Sequence, residues 1–300
     1  MFREKLMKLA KASREDFNKI NDRVTVETDA DLSQLVVEER IVQVWQNLDT
    51  RIILTHSKAF EGQKLPLYLN MHGGGFIQGT ADYDQKFVEI TAATIPCLVI
   101  NVDYKPSPEY PFPTALEESY GVLKWALSHA GELRIDPSKV AVGGHSAGAG
   151  LAVSISLLNR VRQDFAISGL LLDYPPVDMR YPALLEDLPD EVSGSSVNGA
   201  FFNTCYLEKD VNRFNLYASP LMVEDAAGLP RTLMITGELD GLTGPARKYA
   251  DKLEAAGVPL EYYCMPDCRH GFMTLPHNGT KEAFEKGWQL RRNYLKKLFQ

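Results

Sequence analysis

The sequence predicts an α/β fold with a mainly parallel central sheet and helices on both faces of that sheet. From Leu65 onward, short apolar runs alternate with stretches of helical periodicity, which is the pattern of repeated strand and helix units. The chain has 300 residues, of which 45% are hydrophobic and 24% are charged. Because this composition can bury a sizeable core, we expect residues 1–300 to form one domain with inserted segments.

The strands can be assigned in order along the chain. Residues 35–45 and 51–56 are rich in β-branched side chains and flank a turn-like Asn47-Leu48-Asp49, so they predict an antiparallel hairpin. Shorter apolar runs then predict the strands of the main sheet: 65–71, 97–102, 140–142, 169–172, 232–236 and 260–265. In such sheets the residues that do chemistry collect in the loops after the strands.

Two further segments predict a small cap over the sheet. The first 20 or so residues place apolar side chains at the spacing of an amphipathic helix, at Phe2, Leu6, Leu9 and Phe17. Between residues 175 and 219, crowded Asp, Pro, Ser, Gly and aromatic residues interrupt the regular pattern, as in many functional lids. We expect the cap to comprise residues from about 1 to 30 and from about 176 to 216.

Composition excludes several classes of partner. The net charge is −7 and the isoelectric point is near 5.5, whereas a nucleic-acid or anionic membrane surface needs clustered Lys and Arg. No apolar run approaches the roughly 20 residues of a membrane span, and the first residues lack the apolar core of a secretion signal. We therefore expect a cytoplasmic protein that binds neither nucleic acid nor membranes.

A candidate nucleophile stands in the segment VAVGGHSAGAG, which predicts a strand, a sharp turn and a helix. The turn has the G-x-S-x-G pattern around Ser146, in which small neighbours let the chain lift the hydroxyl clear of the sheet. The following helix directs its positive amino-terminal end at the same place. A phosphate-binding loop would end in Gly-Lys-Ser or Gly-Lys-Thr, and a dinucleotide fingerprint would need glycine at Val153, so neither alternative fits.

A serine nucleophile needs a base and an acid that orients the base. Of the six histidines, His270 lies just past the strand 260–265, and we predict it to be the base. Asp240 follows the run 232–236 and gives the chain order Ser, Asp, His, so it is the predicted acid. Glu238 is the second choice for the acid, and Asp267 is too close to His270 in sequence to be the first.

The strand 65–71 runs directly into His72-Gly73-Gly74-Gly75-Phe76. Backbone N–H groups without bulky side chains can surround a developing oxyanion closely. We predict that the N–H groups of Gly74, Gly75 and Ala147 do so, and that His72 braces the loop. An apolar substrate pocket is predicted from Phe76, Tyr83, Phe201, Phe202, Leu242 and Phe272.

The cysteines Cys97, Cys205, Cys264 and Cys268 are few for a chain of this length, so we expect reduced, buried thiols. Cys264 and Cys268 have no second metal-binding pair nearby, which argues against a zinc site. No metal is predicted.

Taken together, these motifs resemble the hormone-sensitive-lipase-like family of α/β-hydrolase carboxylesterases, also called the HGGG family. From about residue 65 to the end, the matching segments are HGGGF, VDYKPSPEYPFPTALEE, RIDPSKVAVGGHSAG, GLPRTLMITGELDGL and AAGVPLEYYCMPDCRHGF. The resemblance implies an α/β-hydrolase fold with a cap, and a serine carboxylesterase that cleaves small, short-acyl esters through an acyl-enzyme without a cofactor. It also allows a homodimer.

The chain departs from the family pattern at four places. His145 replaces the usual Asp before the nucleophile, from which we expect altered local charge but not lost catalysis. Asp240 is followed by Gly241-Leu242-Thr243-Gly244 where the family usually has P-L-R-D, which predicts a more mobile loop. Lys105-Pro106-Ser107 replaces Arg-Leu-Ala, and Ala149 replaces a common glycine.

Two alternatives share the fold. An amidase or peptidase would use the same acyl-enzyme chemistry, and a ligand-binding homologue would have lost the catalytic histidine. Because Ser146, Asp240 and His270 are all present, the sequence argues against the ligand-binding homologue. An amidase or peptidase would keep the same three residues and stays an alternative, and the esterase is the favoured prediction.

Overall fold

The computed structural model describes residues 1–21, 26, 28–191 and 199–300, with only the backbone for Ile20 and Asn21. The parts of the expected cap at residues 22–25, 27 and 192–198 lie outside this description. Helices in the described residues are α1 (Phe2–Asn21), α2 (Ala81–Thr94), α3 (Thr114–Ser128), α4 (Ala147–Arg162), α5 (Gly199–Leu207), α6 (Thr243–Ala255) and α7 (Lys281–Phe299).

The strands of the described chain form one sheet in the order β1-β2-β4-β3-β5-β6-β7-β8. Their bounds are β1 (Leu35–Gln43), β2 (Asp49–Ser57), β3 (Leu65–Met71), β4 (Leu98–Asp103), β5 (Ile135–His145), β6 (Gly169–Asp173), β7 (Arg231–Gly237) and β8 (Leu260–Met265). β1 and β2 form the predicted antiparallel hairpin, β2 pairs antiparallel with β4, and the pairings across the rest of the sheet are parallel. This confirms the predicted α/β fold.

The central strands alternate their side chains between two apolar layers. On β5, Val140 and Val142 face the layer formed with α3, α4 and α6, whereas Ala141 faces the layer formed with α2 and α7. All seven residues of β3 are buried, as expected of a parallel strand covered on both faces. The sheet is therefore the rigid centre of the molecule, and its strand ends have fixed positions.

A third, smaller apolar cluster lies outside these two layers, where α1 meets α5. Leu6, Leu9 and Ala10 of α1 pack there with Ile77, Phe201 and Cys205. The two segments expected to form a cap thus contact each other above the loop that follows β3. Within the described residues, no helix combines the length and apolar character that crossing a bilayer requires.

The four cysteines are free, and the expectation of burial is correct for Cys97, Cys205 and Cys268. It is wrong for Cys264, which is exposed on β8, the edge strand of the sheet among the described residues.

Candidate active site

Ser146 occupies the sharp turn between β5 and α4. Its backbone has φ 50° and ψ −114°, a conformation that residues with side chains rarely adopt. The turn presses on the end of β3 so closely that a Cβ on Gly144 would lie 2.1 Å from the Met71 carbonyl oxygen. A Cβ on Gly148 would lie 1.9 Å from the same oxygen, so both motif glycines are required by packing.

His270 and Asp240 complete a hydrogen-bonded series with this serine. Ser146 Oγ lies 2.8 Å from His270 Nε2, and His270 Nδ1 lies 2.7 Å from Asp240 Oδ2. The Asp240 side chain is 2% exposed, whereas that of His270 is 42% exposed. The acid is thus shielded, while the imidazole can reach a molecule that enters from solvent.

The loops that carry the acid and the base are held by local hydrogen bonds. Asp240 Oδ1 accepts from the Leu242 N–H at 2.9 Å, so each carboxylate oxygen has a partner. The Asn278 side-chain amide donates to the His270 carbonyl oxygen at 2.6 Å. Glu238 lies outside this series, because its carboxylate accepts from the Asp267 N–H at 3.2 Å.

The glycine loop after β3 lies directly beside the serine turn. A Cβ on Gly73 would be 3.7 Å from Ser146 Cβ. Gly74, Gly75 and Phe76 have φ of 118°, 61° and 67°, and the Gly74 carbonyl accepts from the Ile77 and Gln78 N–H groups at 3.1 and 2.8 Å. The structure therefore brings the loop of the predicted Gly74 and Gly75 donors next to Ser146 and to Ala147, the first residue of α4.

His72 supports the loop from behind. Its ring is stacked on Tyr104 with a centroid distance of 4.1 Å, and Nδ1 lies 2.7 Å from the Gly73 carbonyl oxygen. The Tyr104 hydroxyl donates to the His72 carbonyl oxygen at 2.9 Å. This is the bracing arrangement expected from the sequence.

A cavity of about 310 Å³ opens above Ser146 and His270. Four of the predicted pocket residues line it: Phe76, Tyr83, Phe202 and Leu242. Further aromatic and apolar residues in the wall, which were not predicted as pocket residues, include Phe17, Tyr174, Met179, Tyr181 and Leu275. Burial raises the pKa values of the Tyr83 and Tyr174 phenols, so both hydroxyls remain protonated at neutral pH.

The prediction is wrong for Phe201 and Phe272, which do not line this cavity. Phe201 is directed into the α1 and α5 cluster because neighbouring residues of a helix point in different directions, so only Phe202 faces the cavity. Phe272 is buried in the apolar layer that the sheet forms with α2 and α7. The centroid of its ring lies 5.9 Å from that of the Tyr174 ring.

Comparison with known proteins decides the family. A family model described as the alpha/beta hydrolase fold matches residues 68–274. The chain belongs to the α/β-hydrolase family. This confirms the resemblance drawn from the HGGG and G-x-S-x-G segments.

Several named relatives of this α/β-hydrolase are esterases. An arylesterase of Saccharolobus solfataricus is 32% identical over 70% of this chain and 69% of its own length. A carboxylesterase of Mycobacterium tuberculosis, NlhH, is 29% identical over 81% of this chain and 77% of its own length. The solved structure of a bacterial heroin esterase superposes with a TM-score of 0.84, 26% identity, and coverage of 98% and 93% of the two chains. The expectation of a carboxylic ester hydrolase is confirmed.

The α/β-hydrolase departs from its family at His145, and the structure shows what surrounds that residue. His145 Nδ1 lies 2.8 Å from Asp173 Oδ2, within ion-pair range although not aligned as a hydrogen bond, and Nε2 lies 3.8 Å from Asp84 Oδ2. Arg291 of α7 pairs with the same Asp173 oxygen and donates to the Tyr68 hydroxyl at 2.7 Å. All five side chains are buried.

This buried charge cluster adjoins the serine turn, and its His145 also lines the cavity. Its backbone is joined to the turn, because the Ser146 N–H donates to the Asp173 carbonyl oxygen at 2.9 Å. If position 145 held an aspartate, its carboxylate would be buried near those of Asp84 and Asp173, with Arg291 as the guanidinium of the cluster. The imidazole of His145 avoids that repulsion, which is a physical reason for the departure from the family pattern.

Within the described residues, no group of three or more His, Cys, Asp or Glu side chains is placed to hold a metal ion.

Proposed function

We propose that this protein is a serine carboxylesterase that hydrolyses small, short-acyl esters through an acyl-enzyme intermediate. The observation that carries the proposal is the hydrogen-bonded series from Ser146 through His270 to Asp240, opening into an apolar cavity. Membership of the α/β-hydrolase family and the esterase names of the relatives support the same reaction.

In the first half of the reaction, His270 Nε2 takes the Ser146 proton as Oγ attacks the ester carbonyl carbon. The carbonyl oxygen becomes an oxyanion and accepts hydrogen bonds from the N–H groups of Gly74, Gly75 and Ala147. Asp240 holds the His270 tautomer and stabilises the imidazolium. The tetrahedral intermediate then collapses, His270 returns the proton to the departing alkoxide oxygen, and the alcohol leaves behind an acyl-enzyme.

In the second half, a water molecule gives a proton to His270 and attacks the acyl carbon. The oxyanion forms again at the same N–H groups, and Ser146 Oγ departs with the proton from His270. The carboxylic acid is released and the enzyme is regenerated. These steps require no cofactor.

The cavity wall supports a neutral, compact substrate. In the part of the chain that the structure describes, no lysine or arginine lines the cavity. Asp178 does line it, but the Arg180 guanidinium donates to its two oxygens at 2.7 and 2.8 Å, so that charge is already paired. A volume of about 310 Å³ shared between the acyl and alcohol parts favours short chains.

The test is hydrolysis of p-nitrophenyl esters from acetate to long acyl chains by wild type and Ser146→Ala. We expect rapid cleavage of the short esters and a loss of roughly 10⁵- to 10⁶-fold in kcat in the variant. Ser156→Ala is the matched control, because this buried α4 hydroxyl donates only to the Val153 carbonyl oxygen at 2.7 Å among its described bonds. Near-normal activity of Ser146→Ala would refute the assignment, and folded protein that cleaves no ester would favour an amidase or a ligand-binding role.

A homodimer and a cytoplasmic location remain predictions. Sedimentation velocity on the purified chain and fractionation of the source cells would test them.

A further inference from the structure

Arg14 of α1 joins three separate segments of the molecule. Its Nε donates to the Ile77 carbonyl oxygen at 2.6 Å, and its Nη2 donates to the Ser107 carbonyl oxygen at 2.7 Å. Its Nη1 donates to Glu109 Oε1 at 2.7 Å, and Nη2 also contacts Glu109 Oε2. All three guanidinium nitrogens are therefore engaged, in a side chain that is only 23% exposed.

The acceptors of Arg14 support the glycine loop after β3, residues 72–76, which carries the predicted Gly74 and Gly75 donors and is named the oxyanion loop. Ile77 and Gln78 are the two residues whose N–H groups close the turn onto the Gly74 carbonyl oxygen. The Ser107 N–H donates to the Phe76 carbonyl oxygen at 2.9 Å, so Arg14 reaches the loop a second time through Ser107.

The residue before Arg14 holds the same turn. The Gln78 side-chain amide donates to the Ser13 carbonyl oxygen at 3.1 Å and also to the Ser13 hydroxyl. Two consecutive residues of α1 thus bind the two consecutive residues that close the Gly74 turn. Phe17, further along the same helix, lines the cavity and contacts the Tyr83 ring.

The loop needs such support because its backbone is strained. Gly74, Gly75 and Phe76 all have positive φ, and Phe76 is a bulky residue for which that conformation costs free energy. Conformations of this kind persist where the surroundings over-determine them. The N–H groups of the loop can stabilise an oxyanion only if they are held at hydrogen-bond distance from it.

We propose that Arg14 is a positioning residue for the oxyanion loop, an inference that rests on the proposed esterase function. In this arrangement α1 has two roles: Phe17 covers the cavity, and Arg14 with Ser13 holds the Gly74 and Gly75 amides in their working geometry. Arg14 does not touch the substrate. Its effect reaches the reaction through Ile77, Gln78 and Ser107.

The test compares kcat and KM for p-nitrophenyl acetate in Arg14→Met, Arg14→Lys and Arg3→Met. We expect Arg14→Met to lower kcat roughly 10- to 100-fold while KM changes by less than about 3-fold, because the loss falls on the transition state. Lysine cannot reproduce the forked contacts, so Arg14→Lys should also lose kcat, by a smaller factor. Arg3→Met should keep wild-type kcat, since Arg3 joins α1 only to Glu208, at 2.5 Å, in its described contacts.

Two further measurements and one cap variant separate positioning from a structural role. Titration of Ser146 with a fluorophosphonate counts folded active sites, so that kcat refers to competent enzyme. A trifluoromethyl ketone, which forms an oxyanion on the serine, should lose affinity in parallel with kcat in the Arg14 variants. A Phe17→Ala variant should instead raise KM more than it lowers kcat.

The proposal is overturned if both Arg14 variants have wild-type kcat per titrated site, whatever their melting temperatures. It is equally overturned if the ketone affinity is unchanged while kcat falls. If wild type shows no Ser146-dependent ester hydrolysis, the proposed function fails and this inference fails with it. The wild-type measurement therefore distinguishes the two failures.

Discussion

Two regions meet at the cavity, and they are built differently. The strand-end region supplies Ser146, Asp240 and His270, each in a loop just after a strand of the central sheet. The region that we propose as the cap consists of α1, α5 and residues 175–191, and it supplies Phe17, Tyr181 and Phe202 to the cavity wall. The first region rests on two large apolar layers, whereas the second has only a small cluster of its own. From this difference we propose that the sheet determines the chemistry and that the cap selects the substrate.

This comparison predicts which kinetic constant each substitution changes. Side chains at the strand ends should act on kcat or on the folding of the whole domain, because they are fixed to the sheet. Cap side chains should act on KM and on the choice of acyl chain. Arg14 is the proposed exception, since it belongs to the cap but holds the oxyanion loop.

After the loss of the nucleophile in Ser146→Ala, the largest effect is expected at Asp240. Asp240→Asn keeps the shape of the side chain but no longer holds the correct His270 tautomer, so we expect kcat to fall by about 10⁴-fold with little change in KM. Glu238→Gln is the matched control, because Glu238 is exposed and contacts the Asp267 N–H instead of His270. Steady-state kinetics on p-nitrophenyl acetate measures both. A severe loss in Glu238→Gln with an active Asp240→Asn would reverse the choice of acid.

The strand-end region could be predicted from the sequence almost residue by residue. Its signals are local: an apolar run ends, and a Ser, Asp or His with small neighbours follows directly. Because parallel strands end at one edge of the sheet, order along the chain was enough to bring the loops of Ser146, Asp240 and His270 together. The G-x-S-x-G pattern predicted that Gly144 and Gly148 are needed for a tight turn. The structure gives the reason, because a Cβ at either position would collide with the Met71 carbonyl oxygen.

The cap region could not be predicted to the same depth. The pattern of α1 indicated an amphipathic helix, but it could not show that Phe17 would reach the cavity or that Arg14 would reach Ile77. Phe201 and Phe202 are adjacent and identical in chemistry, so no sequence signal separated the buried ring from the cavity wall. The residues around His145 could not be predicted either, because Asp84, Asp173 and Arg291 come from three separate parts of the chain.

A second substitution tests whether the strand-end region depends on the buried charge cluster. Arg291→Met leaves the Asp173 carboxylate buried without its guanidinium, a change that typically costs about 3 to 5 kcal/mol. We expect the apparent melting temperature to fall by roughly 5 to 10 °C, measured by calorimetry or circular dichroism.

The control for this loss is Lys296→Met, on the exposed side of the same helix. It removes one cation without breaking a buried pair, so its melting temperature should stay within about 1 °C of wild type. Equal melting temperatures for the two variants would show that the cluster does not support the serine turn energetically.

The smallest expected effect concerns acyl-chain choice and compares the two adjacent phenylalanines of the cap. Phe202 lines the cavity and lies so close to the oxyanion loop that a Cβ on Gly75 would be 2.3 Å from its ring. Phe202→Ala should enlarge the cavity and shift the kcat/KM ratio of octanoate to butyrate esters upward by about 5- to 10-fold. Phe201→Ala should lower the melting temperature and leave that ratio unchanged, because its ring lies in the cluster between α1 and α5. If both variants shift the ratio equally, the cap acts through its overall packing and not through the ring that faces the substrate.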